Sequence, residues 1–187
     1  MEENKNKENM KFNKWVSCWG NATSITDRKE ATYSKDITLR YPIEIPFSGD
    51  KLRFRFSNLT GTDPVTITSA NVALTTDFKN SLTPITFNGK PSVTILPGQE
   101  TESDEISFPV SAYETINVSM YFSDFTQMNA GTLITGPLSK GQYCYGNYSN
   151  SEILPLDYTR HTQWFYFLNT IDIHTEANKH ALICYGD

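Results

Sequence analysis

The 187-residue chain is short of basic charge, of cysteine and of long apolar runs, and each shortage excludes something. It carries 16 Lys and Arg against 21 Asp and Glu, a net charge of -5. Recognition of a phosphate backbone needs clustered cations, so nucleic acid is not an expected partner. No apolar run reaches bilayer-crossing length, so no membrane partner is expected either. Residues 1–13 are polar and charged and lack the apolar core of a signal peptide, which makes the cytoplasm the expected location. Cysteine is limited to Cys18, Cys144 and Cys184. The number is odd and no pair has metal-ligand spacing, so they read as free thiols, two of them buried. Glycine-rich phosphate loops, His-Glu-x-x-His and calcium-loop patterns are missing, and no metal or other cofactor is expected. Helical periodicity is also missing beyond about two turns.

What the chain does have is 11 Phe, 10 Tyr and many Thr and Ser, a mixture that favours strands. Residues 1–14 read as a disordered lead. In the cluster that follows, period two puts Trp15, Ser17 and Trp19 on one strand face and Val16 and Cys18 on the other. From Ile37 to Phe47 apolar and polar residues alternate, with Pro42 and Pro46 pointing to an edge or bent strand. Leu52, Phe54 and Phe56 alternate with Arg53 and Arg55. A Ser48-Gly49-Asp50 turn between the two runs reads as the tip of a hairpin. A second hairpin is expected from Ile85-Thr86-Phe87 and Val93-Thr94-Ile95, with Asn88-Gly89 in its turn. Further alternation covers Ile106, Phe108 and Val110, then Ile116, Val118, Met120 and Phe122, and later Ile171 and Ile173. Short strands with turn signals between them predict an all-β antiparallel sandwich of jelly-roll type.

Residues 123–160 differ. They are rich in Gly, Ser, Asn and Tyr, and their periodicity is weak. The segment reads as a long functional or mobile loop. Tyr143, Tyr145 and Tyr148 fall within it, and flat amphipathic rings suit stacking on sugar faces. They are therefore the candidate substrate-binding residues, with cover for the sandwich as the competing role. Trp15, Trp19 and Trp164 read as core residues. Asp172 and His174 share one strand face and read as a surface pair. The acidic group Glu100, Glu102, Asp104 and Glu105 reads as a solvated loop rather than a calcium site.

The closing run Ala181-Leu182-Ile183-Cys184-Tyr185-Gly186-Asp187 does not alternate, as in a strand buried on both faces. Several ordered stretches lead up to it. They are Trp15-Val16-Ser17 with Trp19, residues 52–58, Pro64-Val65-Thr66-Ile67, residues 85–89, residues 92–95 with Pro97-Gly98, Ser103-Asp104, Val118-Ser119-Met120-Tyr121, and residues 164–168 with Ile171-Asp172-Ile173. Together with the closing run, this order resembles the N-terminal half of a two-domain SGNH (GDSL-type) hydrolase of the acetylxylan-esterase-like group. The resemblance covers residues 15–187.

In that family a β-sandwich precedes an α/β esterase domain whose first strand ends in Gly-Asp-Ser, the Ser being the nucleophile. Gly186 and Asp187 match the first two positions, and no nucleophile, oxyanion-hole Gly or Asn, or Asp-x-x-His pair follows. The resemblance thus implies an accessory domain over residues 15–176, then a linker and the first strand of a truncated hydrolase domain over 177–187. The expected partner is that missing catalytic domain, and the parent would be a serine esterase acting on acyl esters such as acetylated carbohydrate. No catalytic residue is expected in this chain. The alternative is a carbohydrate-binding module that works by itself.

Overall fold

A computed structural model of the chain describes residues 12–25, 32–137, 139–176 and 178–184. Most of the expected lead and the motif residues Gly186 and Asp187 lie outside the described residues. The strands, in chain order, are β1 (Lys14–Gly20), β2 (Ser24–Ile25), β3 (Tyr33–Ser34), β4 (Ile37–Glu44), β5 (Gly49–Ser57), β6 (Val65–Ile67), β7 (Ser69–Leu74), β8 (Thr83–Ile85) and β9 (Val93–Ile95). They continue with β10 (Glu100–Glu102), β11 (Ile106–Val110), β12 (Thr115–Phe122), β13 (Thr126–Gln127), β14 (Ala130–Leu133), β15 (Gly141–Tyr145), β16 (Arg160–Thr162), β17 (Trp164–Tyr166) and β18 (Leu168–Thr175). A single-turn helix, α1 (Phe78–Ser81), is the only helix among the described residues. None is long and apolar enough to cross a membrane.

The fold is an all-β sandwich. One sheet runs β1-β18-β5-β10, with β11 also on β5, and the other runs β16-β15-β4-β12-β7-β8. Every pairing in them is antiparallel. The alternating residues do what period two demands. Leu52, Phe54, Phe56, Ile171 and Ile173 from the first sheet join Tyr41, Ile43, Val72, Ile116, Val118 and Met120 from the second in one buried cluster. Three two- or three-stranded sheets, β13-β3, β17-β14-β2 and β6-β9, hold the other described strands. Phe167 makes the corner between β17 and β18. Its φ is +64, a left-handed backbone uncommon for a bulky residue. Its N–H bonds Ala130 and its C=O accepts from Ser57, so one residue ties the small sheet to the five-stranded one.

Several local expectations change. The two alternating runs joined at Ser48-Gly49-Asp50 do not form a hairpin. β4 lies in the six-stranded sheet and β5 in the five-stranded one, so the turn carries the chain between layers. Alternation reports which face is buried and says nothing of the partner strand. β4 is central despite Pro42, and Pro46 lies beyond its end. Ile45 bonds toward Glu114 on the β12 side, so by alternation Pro42 faces the other side. There, β15 pairs only with Ile37 to Arg40, so Pro42 has no ladder bond to donate. Asn88 and Gly89 do turn the chain, with φ of +50 and +73 and a Phe87–Lys90 bridge. The flanking strands nevertheless pair elsewhere, β8 with β7 and β9 with β6. In β1 a bulge between Ser17 and Trp19 shifts the phase. Trp15 and Ser17 face outward, whereas Trp19 turns to the core and meets Phe165 at 6.0 Å. Trp15 is therefore not a core residue. It stacks under Arg53, 4.8 Å from the ring, beside His174.

The segment 123–160 is not one long loop. It holds β13, β14 and β15, and residues 146–159 form a roof over the outer face of the six-stranded sheet. Thr38 and Arg40, the outward residues of β4, are buried beneath it. Thr38 Oγ1 donates to the Gly146 carbonyl and accepts the Tyr148 N–H. Arg40, 3% exposed, donates from Nε to Ser119 Oγ and from its two Nη atoms to the carbonyls of Tyr148, Ser151 and Glu152. Burial lowers its pKa from the usual arginine value.

The closing run is not a strand where it is described. Residues 181–184 carry no ladder bond, and Leu182 and Ile183 are 89% and 86% exposed. A strand needs a partner edge, and none is offered to these residues within the described structure.

Candidate functional site

The register of β15 on β4 decides which tyrosines can meet a ligand. Tyr143 pairs with Leu39 and Tyr145 with Ile37, so both rings lie on the inner face of the six-stranded sheet. Cys144 pairs with Thr38 and faces the roof. At this end the inner face is only partly covered: Tyr143 is half-buried and Tyr145 is 61% exposed. A cleft of about 420 Å³ opens there, bounded by β4, β15, β16 and β17. That size lies within the roughly 300–1,000 Å³ usual for small-ligand sites.

Four aromatic side chains line the cleft: Tyr143, Tyr145, Trp164 and Tyr166. The Tyr143 and Tyr145 rings meet edge to face, 6.5 Å apart at 89°. The Trp164 and Tyr166 rings lie nearly parallel, 6.3 Å apart at 23°. Period two explains the second pair, since both sit on one face of β17 while Phe165 turns into the core. Tyr41 fixes β17 from below. Its ring stacks on Phe165 at 4.3 Å, its hydroxyl donates to the Trp164 carbonyl, and it accepts the Tyr166 N–H at 2.8 Å. Burial raises the Tyr41 pKa well above the ordinary tyrosine value, so this hydroxyl keeps its proton. Gly131, opposite Tyr166 on β14, makes room for that ring: a Cβ there would lie 2.8 Å from it. Polar lining comes from Thr32, Ser34, His161, Thr162 and Gln163.

Of the three candidate tyrosines, the fold brings two together. Tyr143 and Tyr145 reach the cleft from a strand, not from the expected loop. Tyr148 does not line it; its backbone belongs to the roof, bonded to Thr38 and Arg40. Sequence reasoning missed Trp164 and Tyr166 as cleft residues. The signal was present in Trp164-Phe165-Tyr166, whose alternation sets two rings on the face opposite Phe165.

The other constellations resolve into structural contacts. Asp172, 7% exposed, accepts from Ser17 Oγ at 2.6 Å and from Arg53 at 3.0 Å. His174 Nδ1 lies 2.8 Å from Asp50. A hydroxyl held directly by a carboxylate, with the nearby imidazole engaged elsewhere, is not the Ser–His pair that acyl transfer uses.

Asp104 caps the Asn88-Gly89 turn. It accepts from Thr86 Oγ1 and from both backbone N–H groups, and these bonds, that from Thr86 first, lower its pKa. Glu102 pairs with Arg53 and Arg55, and Glu105 with Lys51. Among the described residues no three His, Cys, Asp or Glu side chains are grouped to hold a metal. Burial pushes the Cys18 thiol up to about 12 and raises the pKa of Cys144. Neither is poised as a thiolate nucleophile.

Compared with known proteins, the chain matches no family model and no curated protein.

Proposed function

We propose that this sandwich is a carbohydrate-binding module whose ligand lies in the cleft between β15 and β17. The observation that carries the reading is the convergence of Tyr143, Tyr145, Trp164 and Tyr166 on one open cleft. Tyr143 and Tyr145, left partly exposed in a concave site, offer ring faces that suit the C–H faces of a pyranose, and the hydroxyl, amide and imidazole groups beside them suit sugar hydroxyls. Titration against soluble glycans, xylan among them, tests the reading. Tyr145→Ala should weaken binding about tenfold, the scale of one lost aromatic contact. Unchanged affinity in both Tyr145→Ala and Trp164→Ala would overturn it.

A second reading places the module beside an esterase. The resemblance to SGNH hydrolases makes it the accessory domain of a serine esterase that cleaves acyl esters, acetylated carbohydrate among them. The exposed apolar side chains of Leu182 and Ile183 favour a covering partner there. In this reading the chain itself hydrolyses nothing. Turnover of p-nitrophenyl acetate by this polypeptide, abolished by a point substitution within it, would sink the accessory role.

A further inference from the structure

We infer that Asn88 is a spontaneous modification site whose deamidation is held in check by Asp104. Asn88-Gly89 is the one Asn-Gly pair in the sequence, and both residues are exposed. At such a pair the Gly nitrogen attacks the carbonyl carbon of the Asn side chain. A C–N bond closes a cyclic imide. The side-chain amide leaves as ammonia, carrying the proton that the backbone nitrogen gives up. Water then opens the imide to aspartate or isoaspartate, so water is the only co-reactant. Glycine favours the step because no Cβ crowds its nitrogen and its backbone turns freely.

The turn denies the reaction its nucleophile. The Gly89 N–H donates to Asp104 Oδ2 at 2.8 Å, and the Asn88 N–H donates to Oδ1 at 2.9 Å. The flanking N–H groups are held too. Phe87 donates to the Lys90 carbonyl at 2.8 Å, and Lys90 to the Phe87 carbonyl at 3.1 Å. All the N–H groups from Phe87 to Lys90 are thus engaged, and attack requires Gly89 to leave its carboxylate while the turn opens. The carboxylate also opposes loss of the Gly89 proton, because it would face a developing negative charge on nitrogen. Asp104 is itself fixed. Thr86 Oγ1 donates to its Oδ2 at 2.6 Å, and the Asp104 N–H donates to the Thr86 carbonyl at 2.8 Å. Beside it Ser103, 6% exposed, accepts the Phe54 N–H on its hydroxyl and donates its own N–H to the Phe54 carbonyl. The clamp is therefore anchored to β5, not to the turn it guards. Conversion of Asn88 would set a second carboxylate near this one, and isoaspartate would also lengthen the backbone by a methylene, so the modified turn would close less well.

The test incubates the full chain in mildly alkaline buffer and follows Asn88 by peptide mass spectrometry with isoaspartate detection. The native protein should convert Asn88 about tenfold more slowly than the same chain in urea. Asp104→Ala should recover most of that difference without denaturant. Asn80-Ser81 and Asn150-Ser151, read in the same digests, serve as internal controls. An unchanged Asn88 rate in folded Asp104→Ala overturns the inference. So does a native wild-type rate equal to or above that in urea, which would make Asp104 a bystander or a promoter. If Asp104→Ala unfolds, the control sites accelerate together with Asn88, and Thr86→Val then decides, since it removes only the hydroxyl bond to Asp104. In that variant Asn88 alone should convert severalfold faster, and an unchanged rate overturns the inference.

Discussion

Arg40 and Arg53 occupy equivalent places, each pointing outward from the middle strand of its sheet, yet their surroundings are opposite. Arg53 stands on an open face. Its guanidinium lies over Trp15, bonds Asp172 at 3.0 Å and pairs with Glu102. Arg40 lies under residues 146–159 and is held by one hydroxyl and three backbone carbonyls, with no carboxylate among its bonding partners. An ion pair that water still partly reaches, as at Arg53 with its side chain 28% exposed, is screened and contributes less. A buried cation whose donors are matched to carbonyls costs much to disturb, because its removal strands each acceptor away from water. The outward face of a sandwich is thus two different environments, and an alternating sequence does not say which applies.

The largest expected effect comes from cutting the roof. Arg40→Ala should lower unfolding stability by about 3 kcal/mol in urea denaturation, since one buried and three part-buried acceptors lose their donor at once. A loss below about 1 kcal/mol would place Arg40 with ordinary surface arginines. The same variant should expose Cys144, which is fully buried on the roofed face opposite Thr38. Its labelling by an uncharged alkylating reagent should accelerate about a hundredfold if the roof opens locally by a comparable free energy. An unchanged rate would mean that the roof stays closed without Arg40.

On the open face, Arg53→Ala should cost about 1 kcal/mol, and the loss should shrink in high salt. A salt-independent loss would show that Arg53 acts through its packing on Trp15.

The smallest effect belongs to Asp104. Its folded pKa lies below the ordinary aspartate value of about 3.9. Its contribution is therefore complete above the unfolded pKa and is lost as pH falls through the folded one. Asp104→Asn should therefore lower stability slightly at neutral pH, where that contribution is complete, and flatten the acid limb so that the two proteins converge at low pH. A flattening near pH 6 to 7 instead would point to another group.

The layer polarity was legible. Leu52, Phe54 and Phe56, Ile171 and Ile173, and the β12 residues are buried where alternation puts them. Strand partnership was not, because a two-residue period carries no record of the neighbouring strand. The jump between sheets after β4 and the separate pairings of β8 and β9 both escaped for that reason. The Cys18 bulge escaped because one inserted residue leaves no compositional trace while inverting the face of Trp19. The cleft was half legible. Tyr143 and Tyr145 stood out as aromatics in a polar segment, whereas Trp164 and Tyr166 hid inside an apolar run whose cleft-lining side only the fold reveals. Tyr148 has the same chemistry as its two neighbours and was sorted away from them by backbone bonds to Thr38 and Arg40.

The bonds from Arg40 to the roof span 108 to 112 residues of chain. Closing a loop that long is entropically costly, and it must happen before the guanidinium can leave water. Strands β4, β12 and β7 can pair while Arg40 is still hydrated, and the roof can seat only after β15 has docked. Seating the roof therefore dehydrates a cation, a cost met only once the C-terminal third of the chain has arrived.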